Sequence, residues 1–537
     1  MIPQHQHAVF ILQQLLPKTQ LPEIQLDVAA QIEISGVCLD SRQLKQGDVF
    51  VALVGAKIDG RKFIAAAIES SAAAILVEAD NQWQGISWIG KVPIIAIETL
   101  AQRISEIAGN FYQHPSKKIR LIGVTGTNGK TTCTLLISQL AALLQKRGGV
   151  IGTLGFGLLD STLVAPLAQQ IGAVQSTGLT TPDPINLQKI LAHFVDQKAL
   201  TVALEVSSHS LELGRVAALQ FDTAIFTNLT QDHLDFHGDL IHYGKAKEKL
   251  LTMPNLRHAI VNFDDTWARG LLQKIPANSS GASGISTISF SVEDAKADIY
   301  LSDVLLTANG VKARLHSPWG EAELSSPFMG KFNLSNLLAV IASMCVGGFA
   351  LQDVLNFVPQ LQAAPGRMQA VTLDASNQDI HVIVDYAHTP DALENALRAI
   401  REHTSARIWT VFGCGGGRDK TKRPVMGRIA ETNSDYVILT NDNPRNEEPS
   451  AIAADIIRGL HNPNGYLLIA DRAQAIDFAV QQAKAGDVVL VAGKGHEDYQ
   501  IFAEQTLPFS DVRQARLALQ RRLAKRDVEP LRTELTS

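Results

Sequence analysis

From about residue 113 onward, short runs of β-branched and aliphatic residues alternate with longer segments whose apolar positions recur with helical period. This alternation is typical of parallel sheets whose strands are connected by helices. A first block reads, in order, KIRLIGVT, KTTCTLLISQLAALLQKRG, ALTVALEV, FDTAIFTNL and RHAIVNFDD. A second block reads DIHVIVDYAH, DALENALRAIREH, SARIWTVFG, SDYVILTND, GYLLIADR and GDVVLVAGKGHED. The pattern predicts an α/β protein with two mostly parallel sheets.

Two features divide this pattern along the chain. Pro365-Gly366, within LQAAPGRMQAV, interrupts the periodicity between the blocks and predicts a boundary. Residues 1–112 mix strands with one alanine-rich helix, which indicates a smaller α/β unit. The stretch IPANSSGASGIST, residues 275–287, is rich in Ser, Gly and Ala and is predicted to be a surface loop without a function that the sequence supports.

The composition fits a globular protein of several domains. With 537 residues the chain exceeds what one core usually supports, so we expect roughly two to four domains. A formal net charge of −5 gives no reason to expect nucleic acid or an acidic membrane surface as a partner. The four cysteines are far apart, form no CxxC pair and fit a reducing cytoplasm. The N-terminus lacks a basic region and no window approaches a membrane span, so we expect a cytoplasmic protein without membrane insertion.

A glycine-rich turn between the first strand of the first block and its helix is a candidate phosphate-binding loop. In GVTGTNGKTT, residues 123–132, backbone N–H groups and the helix N-terminus would hold phosphate oxygens, and Lys130 would supply positive charge. Thr131 would offer its hydroxyl to Mg²⁺. The spacing departs from the usual P-loop, because Gly123 and Gly129 enclose five residues and not four. Nucleotide binding is thus preferred over a turn that holds no ligand, and a GTPase or motor is disfavoured.

Acidic and histidine side chains follow two later strands of the first block. Glu205 ends one strand, and Asp232, His233, Asp235 and His237 lie just past another. In a doubly wound sheet such carboxyl ends face one crevice, where ligands bind. Taken alone, each of these residues is more often a helix cap or a satisfied polar residue, but their convergence at one sheet edge favours Glu205 and His233 as part of a metal shell.

Together these motifs resemble those of the Mur ligase family, whose phosphate loop has the pattern G-T-x-G-K-[ST]-[ST]. Here it is matched by Gly126-Thr127-Asn128-Gly129-Lys130-Thr131-Thr132, which accounts for the irregular spacing. The resemblance continues through LEVSSHSL, TNLTQDHLDFHG, MGKFNLSNLLA, APGRM, VDYAHTPDAL and GCGGGRDKTKRP, and so covers nearly the whole chain. It implies a UDP-sugar-binding domain at 1–112, a P-loop-type ATP-binding domain at 113–363 and a Rossmann-like, amino-acid-binding domain at 364–537.

The N-terminal motif LDSR, followed by GDVFVALVGAKIDGRKFI, resembles the uridine-binding domain of the family members that add the third residue of the peptidoglycan peptide. The resemblance implies an ATP-dependent ligase acting on UDP-N-acetylmuramoyl-L-alanyl-D-glutamate. ATP would phosphorylate the γ-carboxylate to an acyl phosphate, which the amino group of the incoming residue would attack with loss of phosphate. Lys130, the loop amides and Mg²⁺ would stabilise the transferring phosphoryl group.

The resemblance also assigns residues to each ligand. The catalytic residues that it implies are Lys130, His233 and Lys247. The magnesium ligands that it implies are Thr131, Glu205, His233 and Lys247, the last as a CO₂-derived carbamate because it matches the family's YxxAK lysine. For ATP it adds to the phosphate loop Asn333, Asn336, Arg367 and Asp385. For the UDP-sugar-peptide it implies Ser41, Thr180, Thr181, Ser207, Arg215 and Lys247.

The residues alone leave other interpretations open for several of these positions. Lys245, Lys247 and Lys249 are typical of a solvated helix face. Thr180-Thr181, before a proline, could be a simple turn, and Asn336 could be a helix cap.

The stretch YVILTNDNPRNEEP, residues 436–449, ends a β-branched run with side chains of both charge signs. Asp442-Asn443-Pro444-Arg445 matches the DNPR motif of family members that use meso-diaminopimelate. This amino acid is lysine with an extra carboxylate on its distal carbon, which the planar guanidinium of Arg445 fits bidentately. Asp442 and Asn443 would take the distal ammonium and carboxylate. The amino-acid site that the resemblance implies consists of Arg418, Asp442, Asn443, Arg445, Gly493 and Glu497.

Four other functions are alternatives to the diaminopimelate-adding ligase that the resemblance implies. LDSR and DNPR argue against a lysine-adding and a dipeptide-adding relative. Folylpolyglutamate synthase shares the ATPase core, but it would not be expected to carry this N-terminal domain. A nucleotide-dependent switch without ligase activity would hydrolyse ATP whatever amino acid is offered. We expect a monomer.

Overall fold

The computed structural model describes residues 10–16, 29, 31–55, 58–275, 284–307, 310–373 and 378–534, with the backbone alone from 526 to 534. The chain divides into two compact units, Met1–Ile299 with Leu338–Val354, and Tyr300–Leu337 with Leu355–Ser537. The three-domain division with boundaries near 112 and 363 stays a prediction. Of the loop predicted at 275–287, residues 276–283 lie outside the described part.

The first unit contains two main sheets. Its strands are β1 (Phe10–Ile11), β2 (Glu33–Ile34), β3 (Gly36–Cys38), β4 (Asp48–Ala52), β5 (Ala74–Glu78), β6 (Ile86–Ile89), β7 (Val92–Ile97), β8 (Arg120–Thr125), β9 (Arg147–Gly152), β10 (Gly155–Asp160), β11 (Thr201–Glu205), β12 (Thr223–Phe226), β13 (His258–Asn262) and β14 (Ser286–Phe290). Its helices are α1 (Leu12–Leu15), α2 (Ile64–Glu69), α3 (Leu100–Phe111), α4 (Lys130–Gln145), α5 (Leu167–Gly172), α6 (Pro184–Asp196), α7 (Ser208–Glu212), α8 (Leu234–His237), α9 (Leu240–Glu248) and α10 (Thr266–Leu271).

The smaller sheet of this unit has five strands in the order β3-β4-β5-β7-β6, of which only β6 runs antiparallel. The larger sheet has seven strands in the order β10-β9-β11-β8-β12-β13-β14, and only β10 is antiparallel. Strands β8, β11 and β12 are buried on both faces, as their unbroken apolar runs predict for a parallel sheet covered by helices. Because these three strands are neighbours, the loops that follow them meet at one edge of the sheet.

The second unit is built on a six-stranded sheet. Its strands are β15 (Tyr300–Thr307), β16 (Gly310–Ser317), β17 (Gly320–Ser326), β18 (Gln369–Ala370), β19 (His381–Asp385), β20 (Ile408–Phe412), β21 (Tyr436–Leu439), β22 (Tyr466–Leu468), β23 (Val488–Ala492), β24 (Tyr499–Phe502) and β25 (Gln505–Pro508). Helices α11 (Lys331–Val346) and α12 (Leu351–Phe357) are each divided between the two units. The later helices of the second unit are α13 (Pro390–His403), α14 (Lys422–Asn433), α15 (Pro449–Ile457), α16 (Arg472–Gln482) and α17 (Asp511–Glu534).

The main sheet of the second unit has the order β18-β19-β23-β20-β21-β22, with every strand but β18 parallel. Strands β15–β17 form a separate antiparallel sheet, and β24–β25 form a hairpin. The predicted α/β class with mostly parallel sheets is confirmed. The sequence pattern did not predict the antiparallel pairs β9–β10 and β24–β25 or the antiparallel sheet β15–β17.

Candidate functional site

The phosphate loop joins β8 to α4, and two of its glycines have backbone conformations that other residues rarely adopt. Gly126 has φ +147° and Gly129 has φ +87°. A Cβ atom on Gly126 would lie 1.9 Å from Thr227 Oγ1, so this position has no room for a side chain. The glycine therefore lets the loop pack directly against the segment that follows β12.

That neighbouring segment, residues 227–230, braces the loop with side-chain hydrogen bonds. The Thr227 hydroxyl donates to Asn128 O at 2.6 Å, and Asn128 N donates to Asn228 Oδ1 at 2.8 Å. The Thr127 hydroxyl donates to Thr230 O at 3.1 Å and accepts from Thr230 N at 3.0 Å. Sequence reasoning missed these bracing residues. The available signal was the polar run TNLT directly after a strand that neighbours β8.

Two lysines point at one carbonyl of the loop. Lys130 Nζ donates to Gly126 O at 2.9 Å and to Thr127 O at 2.8 Å, and Lys247 Nζ also donates to Gly126 O at 2.9 Å. Lys247 is buried, with its Nζ 4.2 Å from the centre of the Tyr243 ring. Burial, reinforced by the charge of Lys130, lowers the pKa of Lys247 to about 6. The solvated-face interpretation is therefore wrong for Lys247.

Glu205 ends β11 beside the phosphate loop, paired in register with Val124 of β8. Its buried carboxylate accepts hydrogen bonds from Thr153 N at 2.9 Å and from the Thr153 hydroxyl at 3.0 Å. The Thr153 hydroxyl also lies 3.2 Å from the Thr180 hydroxyl. A Cβ on Gly152 would lie 2.1 Å from Glu205 Oε1, so the absence of a side chain there is what lets the carboxylate reach Thr153.

His233 lies in the loop after β12, at the same sheet edge as Glu205. Its backbone is left-handed, with φ +52°, and its ring centre is 4.9 Å from that of His209 and 6.1 Å from that of Tyr243. The neighbouring His237 Nε2 hydrogen-bonds the Ser208 hydroxyl at 2.9 Å. Within the described ranges, no three His, Cys, Asp or Glu side chains gather in a geometry that could hold a metal ion.

The residues predicted to hold the sugar-peptide form one hydrogen-bonded group, apart from Ser41 and Lys247. The buried Thr181 hydroxyl donates to Glu205 O at 2.7 Å and accepts from Ser207 N at 3.2 Å. Arg215 Nη1 donates to Thr181 O at 2.9 Å. This chain of contacts ties the predicted sugar-peptide residues to the end of β11.

Ser41 lies elsewhere in the first unit, in a short turn, Ser41–Gln43, capped by the Asp40 side chain. The turn flanks a cleft of about 340 Å³. The cleft is lined by Ser35, Gly36, Val37, Cys38, Leu39, Asp40, Gln43, Lys45, Asp48, Phe111, Tyr112, Asp183, Ile185, Asn186 and Lys189. The LDSR motif thus borders a concavity with both apolar and charged walls.

In the second unit, Asp385 ends β19 and holds the loop that contains Arg367. Its carboxylate accepts hydrogen bonds from Met368 N at 2.7 Å and Ala387 N at 2.8 Å, and burial raises its pKa. The Arg367 guanidinium lies 4.8 Å from the centre of the Tyr386 ring. Asp385 and Arg367 are therefore brought together.

Asn333 and Asn336 lie one turn apart near the start of α11, and both are buried. Asn333 Nδ2 donates to Met329 O at 2.9 Å. The preceding Gly330 N donates to Nε2 of His403, which is also buried. Because Asn336 is inside the helix, its interpretation as a helix cap is wrong.

The DNPR segment follows β21, and its first two residues are buried. Burial raises the pKa of Asp442. Asn443 Nδ2 donates to Glu497 Oε2 at 2.8 Å, and Asn443 Oδ1 accepts from Ile501 N at 3.0 Å. A Cβ on Gly493 would lie 2.8 Å from Asp442 Oδ2. The structure thus brings together Asp442, Asn443, Gly493 and Glu497, and their role in binding an amino acid stays a prediction.

Arg445 has a left-handed backbone, with φ +53°, and its N–H donates to Ile501 O of β24 at 3.0 Å. Its Nη1 donates to Gly416 O at 2.9 Å. The exposed Arg418 is near the same loop, because a Cβ on Gly415 would lie 3.0 Å from Arg445 Nη1 and 3.9 Å from Arg418 Cγ. The two predicted arginines therefore flank one glycine-rich loop.

Two buried cations of this region were missed by the sequence reasoning. Arg423 forms ion pairs with Glu447 at 3.0 Å and Asp455 at 2.8 Å, and the Arg423 guanidinium lowers the pKa of Glu447 to about 2. Lys494 is the second, in contact with Glu497. Arg423 lies in GCGGGRDKTKRP and Lys494 in GDVVLVAGKGHED, but a basic residue near glycines gives no sign of burial.

Comparison with known proteins adds the following. Residues 33–112 match the model described as "Mur ligase family, catalytic domain", 124–344 match "Mur ligase middle domain", and 366–495 match "Mur ligase, glutamate ligase domain". The chain is 43% identical to the UDP-N-acetylmuramoyl-L-alanyl-D-glutamate–2,6-diaminopimelate ligase of Coxiella burnetii, over 92% of this chain and 97% of that one.

It is also 44% identical to the enzyme of the same name from Ectopseudomonas mendocina, over 93% of this chain and 98% of that one. A solved structure with that ligase name superimposes with a TM-score of 0.71 at 35% identity, covering 96% of this chain and 99% of that one.

Proposed function

The chain belongs to the Mur ligase family, and from that premise we propose that it joins meso-diaminopimelate to the γ-carboxylate of UDP-N-acetylmuramoyl-L-alanyl-D-glutamate. ATP supplies the driving force and leaves as ADP and phosphate. The enzyme would act in the synthesis of the peptidoglycan precursor, in the cytoplasm, as a monomer. No helix in the described part of the chain is long and apolar enough to cross a membrane.

The observation that carries the choice of amino acid is the pairing of opposite charges after β21. The Arg445 guanidinium donates to Gly416 O of the glycine-rich loop, whereas the carboxylates of Asp442 and Glu497 lie against Lys494. The distal end of diaminopimelate carries one carboxylate and one ammonium. A guanidinium therefore meets the ligand carboxylate while the acidic side chains meet its ammonium.

L-Lysine would leave this arrangement incomplete. It offers an ammonium but no distal carboxylate, so the guanidinium of Arg445 would lose its partner. A site built to pair a polar group can reject an analogue that lacks it by a factor on the order of 10⁴. The L-lysine-adding alternative is therefore disfavoured.

The first chemical step transfers the γ-phosphoryl group of ATP to the D-glutamate carboxylate, which becomes an acyl phosphate. Lys130 and the backbone N–H groups at the start of α4 would hold the phosphate oxygens and oppose their charge. In the second step the ligand amine attacks the carbonyl carbon, the amide bond forms, and the C–O bond to phosphate breaks. The amine proton leaves to solvent or a base.

The Glu205 carboxylate and the Thr131 hydroxyl, at the edge of the larger sheet of the first unit, fit Mg²⁺ in chemical type. Mg²⁺ takes oxygen ligands, commonly one or two carboxylates together with substrate phosphates, which suits a site without a cage of three acidic or histidine side chains. Glu205, Thr131 and His233 would hold the ion, with Lys247 once it is carbamylated. When bound, the ion offsets negative charge on the transferring phosphoryl group.

The environment of Lys247 favours carbamylation. Only a neutral amine can add to CO₂, forming a carbamate and releasing a proton, and a pKa near 6 leaves the amine largely neutral at pH 7. The product is an anion beside the ammonium of Lys130, which would stabilise it. We therefore expect Lys247 to become an acidic ligand at the phosphate loop.

The first unit also offers a place for the sugar-peptide. The cleft beside Ser41 would receive the uridine end, and the group around Thr181, Ser207 and Arg215 would contact the peptide end. Because this group is bonded to the end of β11, the γ-carboxylate would be presented near Glu205 and the phosphate loop.

The test is ATP-dependent phosphate release by the purified protein supplied with UDP-N-acetylmuramoyl-L-alanyl-D-glutamate. We expect release with meso-diaminopimelate to exceed release with L-lysine at equal concentration by orders of magnitude. Release that is indifferent to the amino acid would favour the switch module. Preference for L-lysine would keep the family but overturn the role of Arg445.

A further inference from the structure

Lys494 is a buried ammonium at the centre of the candidate amino-acid site. It is 0% exposed, and its Nζ lies 2.9 Å from Glu497 Oε2, 3.1 Å from Asn443 Oδ1 and 3.7 Å from Asp442 Oδ1. Its Nζ is also 5.4 Å from the centre of the Tyr499 ring. These partners include three of the residues that the proposed function assigns to diaminopimelate.

The backbone around Lys494 is shaped to place it there. It stands between Gly493, with φ +118°, and Gly495, with φ +55°, both in conformations that favour glycine. A Cβ on Gly495 would lie 2.6 Å from Tyr386 Cβ, so the loop is closely packed on that side. A buried ammonium is costly unless it is paired, and here three oxygen atoms surround it. Its position is therefore fixed.

The charge balance of the site depends on this one cation. Asp442 and Glu497 carry two negative charges when ionised, and Lys494 offsets one of them. With the half-buried Arg445 included, and with the exposed Arg418 set aside because solvent screens its charge, the group is neutral. That balance suits a ligand end that is itself neutral overall, with one ammonium and one carboxylate. Without Lys494 the same group would be negative and would suit a purely cationic end.

Resting on the proposed function, we propose that Lys494 is a positioning residue that sets amino-acid specificity. It holds the carboxylates of Asp442 and Glu497 in place and cancels one of their charges. One negative charge then remains for the ligand ammonium while Arg445 pairs with the ligand carboxylate. The site thereby accepts a zwitterionic side-chain end and discriminates against a side chain ending in an ammonium alone.

The test compares Lys494→Met with the charge-balanced double variant Lys494→Met/Glu497→Gln. Methionine keeps much of the length and apolar character of the lysine stem but removes the charge. For the single variant we expect the ratio of kcat/KM for meso-diaminopimelate to that for L-lysine to fall by roughly tenfold or more. The KM for ATP should stay within about twofold of wild type. The double variant should recover part of the lost ratio, because it removes one charge of each sign.

A merely structural role would give a different result. Equal losses for both amino acids, a rise in the KM for ATP as large as that for diaminopimelate, or no recovery in the double variant would overturn the proposal. Should Lys494→Met fail to fold, Lys494→Gln, which retains a hydrogen-bond donor, would be measured with the same expectations. If the wild-type protein shows no amino-acid-dependent phosphate release, the proposed function itself is rejected. If the wild-type protein is specific for diaminopimelate but the variant keeps the same ratio of kcat/KM values for the two amino acids, only this inference is rejected.

Discussion

The hydrogen bonds between Glu205 and Thr153 can be broken without altering either residue, through Gly152→Ala. The new Cβ would lie 2.1 Å from Glu205 Oε1 and 2.6 Å from its Cδ, so the carboxylate must move. The moved carboxylate would lose its two hydrogen bonds from Thr153, each worth about 1.5–3 kcal/mol when the acceptor is charged. Losing both would destabilise this part of the sheet by roughly 3–6 kcal/mol, and relaxation of the loop would recover some of it.

The functional consequence follows from the role proposed for Glu205 as a magnesium ligand. Displacing it should raise the Mg²⁺ concentration needed for half-maximal activity on the order of 10- to 100-fold, the usual effect of disturbing the support of a metal ligand. The assay is phosphate release titrated with Mg²⁺ at saturating substrates, together with thermal unfolding. Gly270→Ala in α10 is the matched control, because a Cβ there meets no atom within 4 Å. A Gly152→Ala enzyme with the Mg²⁺ dependence and unfolding temperature of Gly270→Ala would refute the reasoning.

Three other predictions address separate parts of the molecule. Arg445→Lys keeps the charge but not the bidentate geometry, and should raise the KM for diaminopimelate roughly tenfold or more while leaving the KM for ATP nearly unchanged; equal rises in steady-state kinetics would contradict it. Because the pKa of Lys247 is lowered to about 6, the carbamate content should fall together with activity as pH drops from about 7.5 to 5.5 at constant dissolved CO₂. The carbamate is measured with ¹³C-labelled CO₂, and a signal that does not change with pH would count against Lys247 as a carbamylated ligand. Asp511→Ala removes the carboxylate that lies 2.7 Å from the buried Arg472, so the free energy of unfolding measured with denaturant should fall by about 3–5 kcal/mol. A fall below about 1 kcal/mol would show that the ion pair contributes little to stability.

The parallel sheets could be predicted from the sequence because their strands are unbroken apolar runs flanked by amphipathic helices. Strand β9 escaped the same reasoning, since RGGVIG contains three glycines and has weak strand propensity. In the structure, close packing against neighbouring elements accounts for these glycines. A Cβ on Gly148 would lie 2.1 Å from Ser138 O of α4, and one on Gly149 would lie 2.8 Å from Val202 Cγ2 of β11. The requirement comes from neighbours distant in sequence, which local patterns do not record.

The candidate site divides in a similar way. The phosphate loop and DNPR could be found as contiguous motifs with recognisable chemistry. In the sequence Lys247 lies two residues from each of the exposed Lys245 and Lys249, and only the fold places it against Gly126 O, far back in the chain. The role proposed for Lys494 likewise depends on its contacts with Asp442 and Asn443, which lie on another loop. Burial of a single charged side chain is a tertiary property, and this is where sequence reasoning failed.

The hairpin β24–β25 has a consequence for engineering substrate choice. Ile501 of this hairpin accepts a hydrogen bond from Arg445 N and donates one to Asn443 Oδ1, and Ala503 N donates to Arg445 O at 2.7 Å. The left-handed backbone of Arg445 is thus held by a segment that does not belong to the DNPR motif. Grafting those four residues into a lysine-adding relative would transfer the guanidinium without its support. Because the guanidinium also donates to Gly416 O, the transplantable module is the motif together with the hairpin and the glycine-rich loop.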